Sequence, residues 1–208
     1  MQKVVLGWLL NLILFQTNQP VSVTVSPYTH MADSLLQFVD KSAVTTNILY
    51  DRIFPFARLD EFKSALDTNN YQYFMQVYNE LYNAHYNPKG QLLSTDSYDD
   101  IVEWYRFNNV LPLGVMDMKY NQIKPDAIDK DILLYKENHL YDNPERKQSA
   151  FEEKKVQMAS LLADDVEEGS VTIKLVPELL LSNTNKTIDH VEMKIGDKVG
   201  NCSLSPGD

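Results

Sequence analysis

The chain has 208 residues, with 29 Asp and Glu against 19 Lys and Arg, a net charge of −10 and a pI near 4.8. Such a surface repels phosphate backbones, and no cluster of Lys or Arg offsets it, which argues against nucleic acid and anionic membranes as partners. The single cysteine, Cys202, excludes an internal disulfide and a thiolate zinc cluster, so folding rests on packing the 44% of residues that are hydrophobic.

In chain order, Met1-Gln2-Lys3 carries one positive charge, and Val4–Phe15 then runs apolar, broken by Gly7 and Asn11. A charged start followed by a short apolar run predicts a secretory signal peptide over residues 1–22, and hence a secreted, periplasmic or cell-surface location. The run is shorter than the roughly 20 residues that a membrane-spanning helix needs. Polar Gln16, Thr17, Asn18 and Gln19 follow at once. No transmembrane span is expected after cleavage, and the cleavage point is expected between Thr17 and Ser26.

Helical spacing dominates the next stretch. Leu35, Leu36 and Val39 share a face of a predicted helix over 33–39, and Ile48–Phe54 reads as a short turn stopped by Pro55. Leu59, Phe62, Ala65 and Leu66 predict a short helix. Tyr71, Phe74, Tyr78, Leu81 and His85 predict a longer one, ended by Asn87-Pro88-Lys89-Gly90. Ser97 is the expected cap of a further helix, with Ile101, Trp104 and Tyr105 on its apolar side.

After residue 110 the period changes to two. Met116, Met118 and Tyr120 alternate with Asp117 and Lys119, Val171, Ile173 and Leu175 with Thr172 and Lys174, and Val191, Met193 and Ile195 with Glu192 and Lys194. Each predicts a half-buried strand. Ile132–Tyr135 and Val156–Leu162 are further candidate strands. Asp164, Asp165, Glu167 and Glu168 read as a loop, and Ser182-Asn183-Thr184-Asn185 as a turn. The expected fold class is therefore α+β: a helical region over 28–109 followed by a mostly antiparallel β region over 110–208. The last strand still alternates shortly before the end, as a sheet that continues further would.

Chemical motifs are sparse. No nucleophile elbow, metalloprotease helix, phosphate loop or dinucleotide fingerprint occurs, and the four histidines are far apart. No catalytic residue and no cofactor is assigned. Asp126, Asp129 and Asp131 bunch carboxylates in an expected loop and form a weak calcium candidate, but lack the EF-hand pattern. Tyr71, Tyr78, Tyr82 and Trp104 are candidate ligand-binding residues, because exposed aromatics stack on sugars or face protein partners. Their alternative role is core packing. Glu103 and Asp51 are the least arbitrary acids for glycoside hydrolysis, which needs two carboxyls facing each other across a cleft. For Asp51 a structural ion pair with Arg52 competes with that role. Asn185-Lys186-Thr187 and Asn201-Cys202-Ser203 match the N-glycosylation pattern.

Ser42-Ala43-Val44-Thr45-Thr46-Asn47-Ile48-Leu49-Tyr50-Asp51-Arg52-Ile53-Phe54-Pro55, with the later Val176-Pro177-Glu178-Leu179-Leu180-Leu181-Ser182-Asn183, resembles the N-terminal region of long secreted surface proteins of Gram-negative bacteria. In those, a segment like T-x-I-L-Y-D-R-x-x-P precedes a helical region rich in Tyr and Phe, and a longer β region follows. The resemblance implies no catalytic residue. It implies a secreted or surface-exposed non-catalytic module, a binding or structural part of a larger envelope protein. The implied partners are other envelope proteins or extracellular glycans. The alternative is a secreted hydrolase or carbohydrate-binding protein that uses acidic and aromatic residues.

Overall fold

The computed structural model describes residues 26–57, 59, 70–86, 92–163, 172–184, 190–195 and 198–203. The expected signal peptide, most of the expected 59–66 helix, Asn87–Gly90 and the acidic 164–169 stretch lie outside the described residues, as do Asn185 and Lys186-Thr187.

The first helix, α1, is Pro27–Leu35, earlier than the spacing of Leu35, Leu36 and Val39 predicts. Ser26 sets its start: the side chain accepts from the Tyr28 amide, and Pro27 sits in the first turn, where its missing N–H costs nothing. Leu36 and Val39 are buried, as expected, but from chain that has already left the helix. The second helix, α2, is Tyr71–Asn83, capped by Asn70, whose Oδ1 accepts from the Tyr73 amide at 2.8 Å. Phe74, Val77, Tyr78 and Leu81 form its buried stripe. The third, α3, is Thr95–Phe107 and is capped by Ser94, not Ser97; the Ser97 amide instead donates to Ser94 Oγ at 3.1 Å. Its buried face is Tyr98 and Val102, one turn apart, which starts the helix earlier and turns Trp104 outward.

Seven strands follow among the described residues: β1 Val110–Ile123, β2 Leu133–Lys136, β3 His139–Asp142, β4 Phe151–Leu161, β5 Thr172–Ser182, β6 His190–Ile195 and β7 Lys198–Ser203. The long β1 is the centre of a three-stranded sheet in the order β4-β1-β5. β4 pairs with it antiparallel over eleven residues, from Leu113 opposite Leu161 to Ile123 opposite Phe151. β2–β3 and β6–β7 are antiparallel hairpins, and among the described strand pairs only β1–β5 is parallel. The protein is thus α+β, with its helices ahead of a mostly antiparallel β region. Glu137 and Asn138, both at positive φ, make the two-residue turn of the β2–β3 hairpin.

The alternation expected for 116–120 holds, with Met116, Met118 and Tyr120 all buried. In β5 it shifts phase, because Leu175 faces Leu113 while Leu180 faces Val115. Pro177 lies within this irregularity; it has no N–H to give to the ladder, so pairing breaks there. Gly114 lies opposite. A Cβ at that position would come within 2.9 Å of Phe74, Tyr98 and Leu162, so the helices press directly on the strand.

Two apolar clusters result. The larger packs α2 and α3 on the sheet, through Phe74, Tyr78, Leu81, Tyr98 and Val102 against Met116, Met118, Met158 and Leu179. The smaller joins Leu36, Val39 and Val44 to Leu133, Leu140 and Phe151. Ile48 belongs to the first and its neighbour Leu49 to the second, as extended chain sends successive side chains to opposite sides. Both are fully buried.

Candidate functional site

The Thr46–Pro55 segment runs between the end of α2 and the end of β1. Asn121, on β1, donates its amide to the Ile48 carbonyl at 2.8 Å, and its buried side chain accepts from Thr46 Oγ1 at 2.8 Å. On the other side the Tyr86 amide donates to the Asn47 carbonyl at 2.9 Å, and the Leu49 amide to the Ala84 carbonyl at 3.2 Å. Asn47 takes φ 60° to make the turn, a conformation that asparagine tolerates.

Tyr50–Arg52 then forms a single 3-10 turn whose three side chains reach three different elements. The Tyr50 hydroxyl donates to Glu80 Oε2 of α2 at 2.5 Å. Burial, and then the Glu80 contact, raise the Tyr50 phenol well above its ordinary pKa. Glu80 Oε1 accepts from the Phe56 and Ala57 amides at 3.0 and 2.9 Å, which fixes the chain just past Pro55. Arg52 makes a two-pronged pair with Asp33 of α1, Nε to Oδ1 at 2.6 Å and Nη2 to Oδ2 at 2.8 Å. Its Nη1 donates to the His85 carbonyl at 2.6 Å, beyond the C-terminal end of α2, and its guanidinium lies 4.5 Å from the centre of the Tyr86 ring. The expected Asp51–Arg52 ion pair is therefore not formed. Adjacent residues of the turn point apart, and Arg52 finds a carboxylate of matching geometry nineteen positions earlier.

Asp51 is engaged differently. Its Oδ2 accepts from the Ile123 amide at the end of β1, at 2.7 Å. No basic side chain is among the groups that perturb it, and burial raises its carboxyl pKa to about 6 despite that hydrogen bond. Beside it opens a cavity of about 700 Å³ lined by Tyr28 and Leu35 of α1, Tyr50 and Asp51, Ile53 to Ala57 in part, Tyr120 to Ile123 in part, and Lys154 of β4. The aromatic rim extends to Phe54, whose ring centre is 5.6 Å from that of Tyr28 and 5.0 Å from that of Phe56. Phe54 and Phe56 are 56% and 73% exposed, large apolar side chains left open to solvent beside the cavity. Lys154 Nζ is paired with Glu152 Oε1 at 3.1 Å, and the same oxygen accepts from Gln122 Nε2 at 2.8 Å.

A carboxyl pKa raised by folding means that the fold favours the protonated form. The stabilisation is complete below about pH 4 and is lost as the pH rises through about 6. Asp51→Asn keeps an acceptor for the Ile123 amide and carries no charge. Its stability is expected to equal that of the parent near pH 4 and to exceed it by about 2 kcal/mol at pH 8, with allowance for the partial exposure of the group. Urea denaturation at both pH values checks this; the same margin at both would mean that Asp51 titrates normally.

None of the other sequence-derived candidates lines the cavity beside Asp51. Tyr78 is buried, with its hydroxyl donating to the Leu93 carbonyl at 2.6 Å. Tyr71 is half-buried and donates to Asp99 Oδ1 at 3.1 Å; burial and that carboxylate push its phenol up to about 12. Tyr82 is half-buried beside Tyr78. Trp104 is 61% exposed, packed edge-on against Tyr105. Glu103 pairs with Arg106 on the exposed face of α3. Asp126 is paired with Lys130, while Asp129 and Asp131 are exposed; among the described residues no three His, Cys, Asp or Glu side chains gather as metal ligands. No described helix is long and apolar enough to cross a membrane.

Sequence reasoning placed Asp51 among the acids but missed its surroundings: Tyr28, Phe56 and Tyr120 lie far from it in sequence or carry no motif. The signal that could have found them was the Tyr50-Asp51-Arg52 run, three polar side chains between apolar neighbours. Comparison of the chain with family models, curated proteins and solved structures finds no match.

Proposed function

We propose that the chain is a secreted or surface-exposed, non-catalytic binding module, part of a larger envelope protein, whose ligand site is the cavity beside Asp51. The observation that carries this reading is the cavity itself. Its volume of about 700 Å³ falls within the roughly 300–1,000 Å³ of small-molecule sites, and its walls combine aromatic and aliphatic side chains with a nearly equal share of polar surface, to which Asp51, Gln122 and Lys154 contribute. A single carboxylate lines it, with no second acid, histidine or thiol among the described lining residues. One orienting carboxylate suits holding a ligand; hydrolysis by paired carboxyls needs two. The apolar N-terminal run and the resemblance of the Thr46–Pro55 segment support export and an envelope setting.

Ligand-detected NMR with phenethyl alcohol, a neutral compound with an aromatic body, tests the site. Saturable millimolar binding is expected, weakened severalfold by Phe56→Ala, which removes an exposed wall without opening the core. Binding indifferent to Phe56 would remove the site, as would absence of binding by this compound and by its charged analogues alike. Export is checked by the intact mass of the native product from medium and envelope fractions. Loss of an N-terminal segment ending between residues 17 and 26 is expected, and a retained leader found only in the cytosol would count against secretion.

A further inference from the structure

Resting on the reading of this cavity as a ligand site, we propose that it selects organic cations, an alkyl- or arylalkyl-ammonium compound whose charged head meets Asp51 and whose body lies among the Tyr28, Tyr50, Phe56 and Tyr120 rings.

Three observations converge on this class. First, among the described residues Asp51 is the one charged lining group with no ionic partner. Arg52, next to it in sequence, is spent on Asp33, and Lys154, the other charged lining residue, is spent on Glu152. The Asp51 carboxylate receives the Ile123 amide, and a carboxylate has about four acceptor positions, so capacity for an ammonium is left. Second, the walls are aromatic. Tyr28, Tyr50, Phe56 and Tyr120 line the space, with Tyr50 and Tyr120 rings 5.2 Å apart. Ring faces carry negative potential and attract cations, by about 0.5–2 kcal/mol for each well-placed ring. Third, the cavity is far larger than an ammonium head, so the ligand carries an apolar body. The elevated pKa of Asp51 fits the same picture. An acid kept ionisable where the fold disfavours its charge is a common mark of a binding site, and a cationic ligand supplies the missing counter-charge.

The test is a charge series on one aromatic frame at pH 7.5: phenethylammonium, phenethyl alcohol and 3-phenylpropionate, each titrated by NMR. The cation is expected to bind about tenfold or more tightly than the alcohol, the value of one charge-assisted hydrogen bond, and the anion more weakly than either. Asp51→Asn, which retains an acceptor for the Ile123 amide, is expected to bring the cation down to the level of the alcohol. Lys154→Gln is expected to widen the preference for the cation. If the alcohol binds as tightly as the cation, if the anion binds best through Lys154, or if Asp51→Asn leaves the preference intact, the proposal is overturned while the cavity stands as a neutral or anionic site. If none of the three binds, the cavity reading falls with it.

Discussion

Replacing Arg52 with alanine is expected to lower folding stability by about 2–3 kcal/mol, the cost of removing a buried guanidinium and its hydrogen bonds, with its ion pair discounted because the Asp33 side chain is 38% exposed. Arg52 is 9% exposed and holds three parts of the molecule together. Its fork closes on Asp33 of α1, its Nη1 takes the His85 carbonyl after α2, and its plane stacks near Tyr86. Alanine leaves that carbonyl without its donor, leaves the Asp33 carboxylate without its counter-ion and opens a void beside Tyr86. Arg52→Lys keeps the charge but has no planar fork, so it is expected to recover less than half of the loss. Chemical denaturation of the two variants, together with Asp33→Ala and the double variant, measures the pair directly. A loss below about 1 kcal/mol for Arg52→Ala would place the residue with ordinary surface ion pairs.

Glu80→Ala is expected to cost about 3 kcal/mol, because it strips the acceptor from several donors at once. The Phe56 and Ala57 amides and the Tyr50 hydroxyl all end on this carboxylate, and Glu80 itself is 7% exposed. Unsatisfied buried donors are more costly than the net worth of the bonds that they replace. The same change frees the Phe56 wall of the cavity. Binding of phenethyl alcohol is therefore expected to weaken in parallel with stability. Tyr50→Phe removes only one donor and leaves the 56–57 amides bonded, so it is expected to lose about 1 kcal/mol and to keep the wall in place. If Glu80→Ala is as mild as Tyr50→Phe, water replaces the carboxylate without cost and Glu80 does not fix this loop.

Both predictions concern side chains whose partners are remote in sequence, and this separation sets what could be read without the fold. The stripe of Phe74, Tyr78 and Leu81 and the alternation of Met116, Met118 and Tyr120 are local patterns, so α2 and the centre of β1 were legible. The start of α3 was legible only approximately. Ser94 and Ser97 are both competent caps, and the choice follows from Tyr98 needing a helical turn that points into the core. The same rotation moved Trp104 from the expected apolar side to the solvent. In β5 the alternation was readable up to Leu175, and Pro177 itself announces the break, but the residue that resumes pairing depends on Gly114 and Val115 of another strand.

The candidate site was less legible still. Tyr50, Asp51 and Arg52 are consecutive, yet their partners Glu80, Ile123 and Arg52's Asp33 lie 30, 72 and 19 positions away. Asp51 beside Arg52 looks like an ion pair on paper, because neighbouring opposite charges in sequence suggest proximity. In a tight turn consecutive side chains diverge, and the pairing is decided by what the closed fold brings to each.

The sequence by itself determined the acidic charge, the lack of an internal disulfide, the change from helical to alternating periodicity near residue 110 and hence the α+β class. These depend on composition and on spacings within a few residues. The tertiary structure alone decided that Arg52 pairs with Asp33, that Tyr78 serves the core, and that Asp51 lies beside an aromatic cavity with no counter-ion among the described residues. Ion-pair choice and enclosure depend on distances between segments, and those are fixed only when α1, α2 and the ends of β1 and β4 close around the same turn.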